Sequence, residues 1–399
     1  MAGPFNWIAQ VVSVALFNLR TIPKRIGSSA TAMFGIAGVV AVMVAVLSIA
    51  QGILRTMEQS AAPENVVVLR SGSNSEMMSI LLGDDVRYIS EAPGVARDAN
   101  GALASPELYV IIDLPKKDSG TDANVPLRGV TRQAPAVHRD FRIVEGRMFE
   151  WGLNEVVVGI GARREFRGLE IGSGIEVKDE QWPVVGVFEA NGGVAEAEIW
   201  VDAAVLQPAY QRGNSFQAVY ARLESQGAFQ AFKDALTSDP RLNVKPLRET
   251  DYYADQSETL YRLITTLGTL IAVIMGFGAV FGALNTMYTA VAARNREIAT
   301  LRALGFHSGP VVISVLLESL LLALAGGVIG AALAWAVFDG FSASTLNWSS
   351  FSQLTFAFDV SLPLLVQGVI FALLIGFFGG LFPALRAARQ PIATALREQ

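Results

Sequence analysis

The sequence predicts an α-helical membrane protein: four transmembrane helices, with a large α+β extracytoplasmic domain inserted between helices 1 and 2. Three observations lead there. The 399-residue chain is 52% hydrophobic and only 17% charged, more apolar than a soluble protein of this length. Its apolar residues gather in four runs long enough to cross a bilayer, which takes about 20 residues of helix. Most of the charges fall instead in residues 55–262, where short alternating runs and turn residues replace the long apolar stretches.

The elements follow in order. Phe5 to Asn18 is apolar but interrupted by Asn6, Gln10 and Ser13 and followed by Arg20, Pro23, Lys24 and Arg25. Residues 1–29 therefore read as a cytoplasmic amphipathic helix with its basic end at the headgroups. Ala30 to Ala50 is apolar but for Thr31 and Ser48 and gives the first transmembrane helix, residues 30–54. Its apolar core exceeds the roughly 7–15 residues of a signal-peptide core, so it reads as an anchor.

Residues 55–262 carry strand-like runs at Val66 to Leu69, Tyr109 to Ile112, Glu155 to Val158, Gly174 to Val177 and Pro183 to Phe188. Helical patterns interleave at Asp84 to Ala92, Gly161 to Arg167 and Ala228 to Leu236. This is an α+β domain large enough to bury its own core, with a polar, mobile loop at Lys116 to Asn124. Gly159-Ile160-Gly161 after a strand resembles the start of a dinucleotide fingerprint, but Arg164 stands where the third glycine belongs, and a plain turn is the stronger reading.

Three further spans follow, at 263–292, 310–338 and 362–382, interrupted by Asn285, by Ser314, Glu318 and Ser319, and by Gln367. Residues 339–361 read as a short extracytoplasmic loop and 383–399 as a cytoplasmic tail. Arg20, Lys24 and Arg25, then Arg294, Arg296 and Arg302, then Arg386, Arg389 and Arg397 mark the cytoplasmic side, whereas 339–361 has no basic residue. Both termini are then cytoplasmic and the large domain faces outward.

Between the second and third spans, residues 293–309 hold a short charged helix, Ala293 to Gly305. Ile298, Leu301 and Leu304 form an apolar stripe, Arg294, Arg296, Glu297 and Arg302 are polar, and Gly305 is a C′ stop. Alone, such a helix either lies across the membrane face and docks on a partner or is a solvated loop helix whose arginines fix topology. Glycines at 276, 278 and 282, at 326, 327 and 330, and at 376, 379 and 380 allow close helix packing. Glu318 is the one acid inside the apolar core of a span, where proton coupling competes with a structural role such as a hydrogen bond to the charged helix; the structural role is favoured.

Other chemistry is excluded or unsupported. A net charge of −5 marks no nucleic-acid surface; zero cysteines exclude disulfides, thiolate nucleophiles and cysteine-bound metals; His138 and His307 alone cannot make a histidine-rich metal site. No G-x-x-x-x-G-K-[ST] run occurs, so no nucleotide site is expected in this chain. The outward domain shows no Ser/His/Asp or paired-carboxylate spacing, which makes a membrane-bound enzyme a weak reading, and none of its many acids is singled out.

The run Arg294-x-Arg296-Glu297-Ile298-Ala299-Thr300-Leu301-Arg302-Ala303-Leu304-Gly305 carries a resemblance, with Asn285-Thr286-Met287-Tyr288 before it and Glu318-Ser319 and Gly326-Gly327-x-x-Gly330 after it. The tail Pro383-Ala384-x-x-Ala387-Ala388-x-x-Pro391-x-x-x-Ala395-Leu396-Arg397 completes it. Over essentially its whole length the chain resembles the FtsX-type permeases of ABC systems, closest to the MacB and LolC/LolE, or type VII, class. The resemblance implies that Arg294, Arg296, Glu297, Ile298, Leu301, Arg302, Leu304 and Gly305 form a coupling helix docking on a separate cytoplasmic ABC ATPase, which holds the ATP and Mg while this chain binds no cofactor. It implies transmission through Asn285, Glu318, Gly326, Gly330, Gly379 and Gly380, and a cytoplasmic tail motif at Pro383, Pro391, Leu396 and Arg397.

The same resemblance implies a bacterial inner-membrane protein contacting membrane lipids, working as a homodimer, or as a heterodimer with a paralogue, without nucleic acid. Its periplasmic domain would have two lobes, a membrane-near one from Val66 to Ser105 and Arg222 to Leu247 and a distal one from Tyr109 to Gln217. Three functions stay open: an exporter of drugs, peptides or lipid-like compounds with a periplasmic adaptor and an outer-membrane channel, a lipoprotein or lipid extractor, and a mechanical regulator of a cell-wall hydrolase that transports nothing.

Overall fold

The computed structural model describes residues 26–138, 140–178, 180–304, 306–347 and 352–391. The expected amphipathic helix with Arg20, Lys24 and Arg25, and Gly305, Leu396 and Arg397, lie outside these residues. The chain divides into a helical unit, Met1–Gln51, Arg262–Phe341 and Phe358–Gln399, and a sheet unit, Gly52–Tyr261 and Ser342–Ala357.

The principal helices are α1 (Ile26–Ser60), α2 (Glu249–Ala292), α3 (Asn295–Ala303), α4 (Ser308–Phe338) and α5 (Leu362–Arg389). All but α3 are long and apolar enough to cross a membrane. Both α1 and α2 outrun their apolar stretches. Helix α2 begins at Glu249 rather than near Leu263, because no glycine or proline occurs between Glu249 and Gly268 and Glu249 and Asp251 suit the positive end of the helix dipole. Pro63 lies just beyond the end of α1.

Within the helical unit, α1, α4 and α5 bury Ile36, Val40, Val44, Ala323, Ala331, Leu364, Ala372 and Ile375 together. The glycines admit backbone where side chains will not fit. A Cβ on Gly326 would lie 2.7 Å from the Met33 carbonyl oxygen, and one on Gly330 would strike the Ala37 carbonyl. Gly379 and Gly380 of α5 face the Ala283 and Ser319 side chains at 2.5 and 2.6 Å in the same sense.

The sheet unit is built on β1 (Asn65–Arg70), β2 (Ala104–Pro115), β3 (Asp122–Val130), β4 (Phe141–Gly146), β5 (Val156–Gly159), β6 (Gly174–Val177), β7 (Glu180–Ala190), β8 (Ile199–Asp202), β9 (Ala218–Arg222) and β10 (Val244–Arg248). Their order is β10-β1-β9-β2-β3-β8-β5-β7-β4, with β6 paired to β7. The β3/β8 and β5/β7 pairs are parallel and the others antiparallel. Helices Gly83–Ser90 and Phe229–Ser238 close one apolar core with Val66, Val68, Val219 and Ala221. A second core gathers Leu108, Val110, Leu127, Val156, Trp182 and Ile199; a third gathers Val130, Phe149, Val157, Phe188 and Trp200. Strand alternation separates the last two: Val125 and Leu127 of β3 point into the second, while Val130 points into the third.

Three local readings change. Asp122 to Asn124 belong to β3, so the polar loop is shorter than Lys116 to Asn124. The glycines at 159 and 161 serve packing: a Cβ on Gly161 would lie 2.9 Å from the Glu196 carbonyl oxygen, and one on Gly159 would strike the same group. Residues 339–361 are not a plain loop, since they contain the antiparallel strands β11 (Ser342–Asn347) and β12 (Ser352–Ala357). Lys116 Nζ reaches Glu165 at 2.6 Å and Ser344 Oγ at 3.0 Å, while Glu165 accepts from Thr355 Oγ1 at 3.1 Å and from Ser344. Serines and threonines that bond to a charged pair this far away in sequence look like loop residues when read locally.

Candidate functional site

Helix α3 is fastened to its unit by an ion pair. Arg294, the residue that precedes its first turn, donates from Nη1 and Nη2 to the two carboxylate oxygens of Glu318 at 2.9 and 2.8 Å. Their side chains are only 4% and 5% exposed. This parallel two-bond geometry is the strongest that an arginine and a carboxylate can adopt. Met287, Val291, Ile298, Val311, Val315, Ala384 and Ala387 pack beside it and keep water out.

The same geometry sorts the residues of the charged helix. Arg296, Glu297 and Thr300 are exposed, Ile298 and Ala299 are buried, and Leu301 and Arg302 are half-buried. Arg302 Nη1 donates to the Gln390 carbonyl oxygen at 2.5 Å, tying α3 to the residue after α5. The apolar stripe does not hold as one face, because Leu304 is 73% exposed. Steps of three residues drift about 60° each on a 3.6-residue helix, so Ile298 and Leu304 point in different directions. The inward line is instead Arg294 and Ile298, four apart. Arg294, expected on the polar docking face, is turned inward because its carboxylate partner waits in α4.

The other expected residues are spread out. Asn285 is exposed on α2; Gly326, Gly330, Gly379 and Gly380 lie in helix contacts; Pro383 is buried within α5 and Pro391 is exposed after it. Arg386 sits over the Tyr288 ring at 5.6 Å.

A second constellation, in the sheet unit, is not among the residues singled out by the sequence. Arg128 of β3 is buried and donates from Nε and Nη2 to the Glu198 oxygens at 2.7 Å each, and from Nη1 to Glu76 at 2.7 Å and Glu107 at 2.8 Å. Tyr220 donates to Glu76, Tyr252 of α2 does so at 3.4 Å, and Trp200 Nε1 donates to Glu198 at 2.8 Å. His138 Nε2 lies 2.7 Å from Glu107, and Glu249 of α2 accepts from the Ala62 amide at 2.8 Å. Strand register assembles the centre: Tyr109, Arg128 and Trp200 stand opposite one another on β2, β3 and β8. Glu107 lies two residues before Tyr109, and Glu198 two before Trp200, which puts each acid on the same face as its aromatic neighbour. Glu107-x-Tyr109 and Glu198-x-Trp200 were the available signals.

Burial alone would raise the Glu107 carboxyl, yet His138 and Arg128 beside it bring it below the ordinary carboxylate value. Burial likewise opposes a charged His138, but Glu107, with a smaller contribution from Glu249, outweighs both that and the repulsion of Arg128 and raises the imidazole above its usual value. The signs follow from linkage. The histidine contribution is complete below the unfolded value, about 6.5, and fades as pH rises through the higher folded value. The glutamate contribution is present above the ordinary carboxylate value and fades as pH falls through the lower folded one. Thermal melts of the full chain should therefore show stability dropping from pH 6 to 8, and His138→Gln should flatten that slope. An identical slope in the variant would remove His138 from the account.

Comparison with known proteins matches the same two regions. Residues 29–239 match the model of the MacB-like periplasmic core domain, and residues 269–392 match that of the FtsX-like permease C-terminal region. An uncharacterized ABC transporter permease of Bacillus subtilis (strain 168), YvrN, is 26% identical, over 92% of this chain and 94% of its own. The macrolide export ATP-binding/permease protein MacB of Chlorobium luteolum is 25% identical over 92% of this chain, which spans 57% of that protein's length. Among solved structures, the periplasmic region of MacB from Actinobacillus actinomycetemcomitans superposes with a TM-score of 0.36 at 13% identity, covering 53% of this chain and 97% of that one. With more than half its length matched by the first family model and most of its second half by the other, this chain belongs to the MacB-like, FtsX-type family of ABC transporter permeases.

Proposed function

We propose that this chain is the permease subunit of a MacB/LolC-like ABC transporter: it couples ATP hydrolysis by a separate cytoplasmic ATPase to a conformational change of a periplasmic domain. That change exports or extracts an amphipathic substrate, a drug, peptide, lipid or lipoprotein. Residues 30–54, 263–292, 310–338 and 362–382 cross the bacterial inner membrane, both termini and residues 293–309 are cytoplasmic, and residues 55–262 are periplasmic in two lobes. The permease pairs with a second copy or a paralogue, and ATP and Mg sit in the partner ATPase.

The observation that carries this reading is the construction of α3. Arg296, Glu297 and Leu304 are presented outward, while the Arg294–Glu318 pair is buried and doubly hydrogen-bonded. A helix that only had to fix topology has no need of a buried two-bond anchor; one that takes a push from outside does. Asn285, Gly326, Gly330, Gly379 and Gly380 line the way from α3 into the helices, and Arg302 with Gln390 and Pro391 brings in the tail.

Glu297→Lys should reduce the ATPase that copurifies with the tagged chain from its own membranes by about tenfold or more, equivalent to about 1.4 kcal/mol, with membrane insertion unchanged. Full capture of an ATPase whose turnover still drives transport would end the assignment. Capture of a cell-wall hydrolase with the ATPase, and no substrate moved, would replace export by mechanical regulation.

A further inference from the structure

The ionic centre of the sheet unit has no part in docking an ATPase, yet it is the most heavily invested polar feature among the described residues. One guanidinium faces three buried carboxylates, Glu76, Glu107 and Glu198, and each comes from a separate stretch of chain. Five N–H groups in a fixed plane are what such a site requires; a lysine offers three donors from a point charge and cannot span it. The three apolar clusters of the sheet unit described above contain no residue of α1 or α2. At the roots of those helices, where Ile53, Met57, Tyr252 and Tyr253 are also buried, polar contacts reach neighbouring segments. Ser60, the last residue of α1, accepts from the Val194 amide at 2.7 Å; Glu249, the first of α2, holds the Ala62 amide; and Tyr252 reaches Glu76.

We propose that Arg128 is a positioning residue: it clamps Glu76, Glu107 and Glu198 so that the root of α2 is held in one register against the sheet, and movement of α2 is delivered through Glu76 to both sides of the β2–β3 pair. The proposal rests on the coupling function above for its purpose, but not for its geometry. Removing the fork would leave three carboxylates facing one another with only His138 for charge balance, and the segments carrying them would move apart.

The native sequence has no cysteine, so the full chain accepts two engineered ones for spin labels without background. Asp255→Cys on α2 and Glu176→Cys on β6 are both at exposed positions. Pulsed electron-electron distance measurements in lipid nanodiscs should give one narrow distance in this doubly labelled parent. Arg128→Lys and Glu76→Gln should each broaden the distribution at least about twofold, and Tyr252→Phe should broaden it in the same direction to a smaller extent. A centre that only contributes stability would lower the melting temperature and leave the distance width at 25 °C as it was, and that result overturns the proposal. So does a parent distribution that is already broad. Should Arg128→Lys fail to fold, Glu76→Gln keeps the shape of the side chain and decides the question alone. No ATPase is needed for the measurement, so a chain that captures none would sink the coupling function while leaving this test standing.

Discussion

Arg128→Met should cost the sheet unit about 3–5 kcal/mol, the scale of breaking a buried ion pair by removing one partner. The loss is not that of one salt bridge, since Glu76, Glu107 and Glu198 would remain buried around an apolar side chain. With roughly 2–4 °C of melting temperature per kcal/mol for a domain of this size, scanning fluorimetry on the full chain should show a drop of about 10 °C. A shift under about 2 °C would mean that water enters and solvates the carboxylates, and that the centre is not the closed cluster its geometry describes.

The second large effect belongs to α3. Arg294→Met and Glu318→Met should each destabilise the helical unit by about 3–5 kcal/mol, because each strands a buried charge. The double variant should recover most of that loss, since two methionines suit the surroundings supplied by Met287, Val291, Val311 and Val315. A double-mutant cycle in detergent should then yield a coupling above about 2 kcal/mol, whereas additive losses would show that the two residues act separately. The cycle also bears on Glu318 as a proton carrier. Were that its role, Glu318→Gln would abolish transport while ATPase capture persisted; as an anchor for Arg294, it should weaken both together.

The difference between these two clusters shows what a sequence can carry. Four spans and a strand-rich region were legible because apolar runs and period-two alternation are local properties. The outward charges of α3 were legible for the same reason. A hydrogen bond from Glu318 to this helix is among the sequence expectations and is present; that Arg294 is the residue turned inward to make it was not legible, because the choice depends on packing against another helix 24 residues further on. The ionic centre was less legible still. It needs the register of β2, β3 and β8 to set Glu107, Arg128 and Glu198 side by side, and it needs Glu76 from a short turn that has no pattern of its own. The β11–β12 hairpin was missed because its anchors, Lys116 and Glu165, lie 228 and 190 residues before their partners Ser344 and Thr355.

The contact of α4 with α1 is made where Gly326 and Gly330 lie against the backbone at Met33 and Ala37. Helices that interlock side chains must lift each knob out of its hole before either can slip along the other. At these two positions α4 presents no knob, so they add little to the barrier to sliding, which is left to the side chains of Ile36, Val40, Ala323 and Ala331 around them. A leucine at Gly330 would drive its side chain into the Ala37 backbone and force α4 away from α1, so the glycine sets how near the two helices can stand.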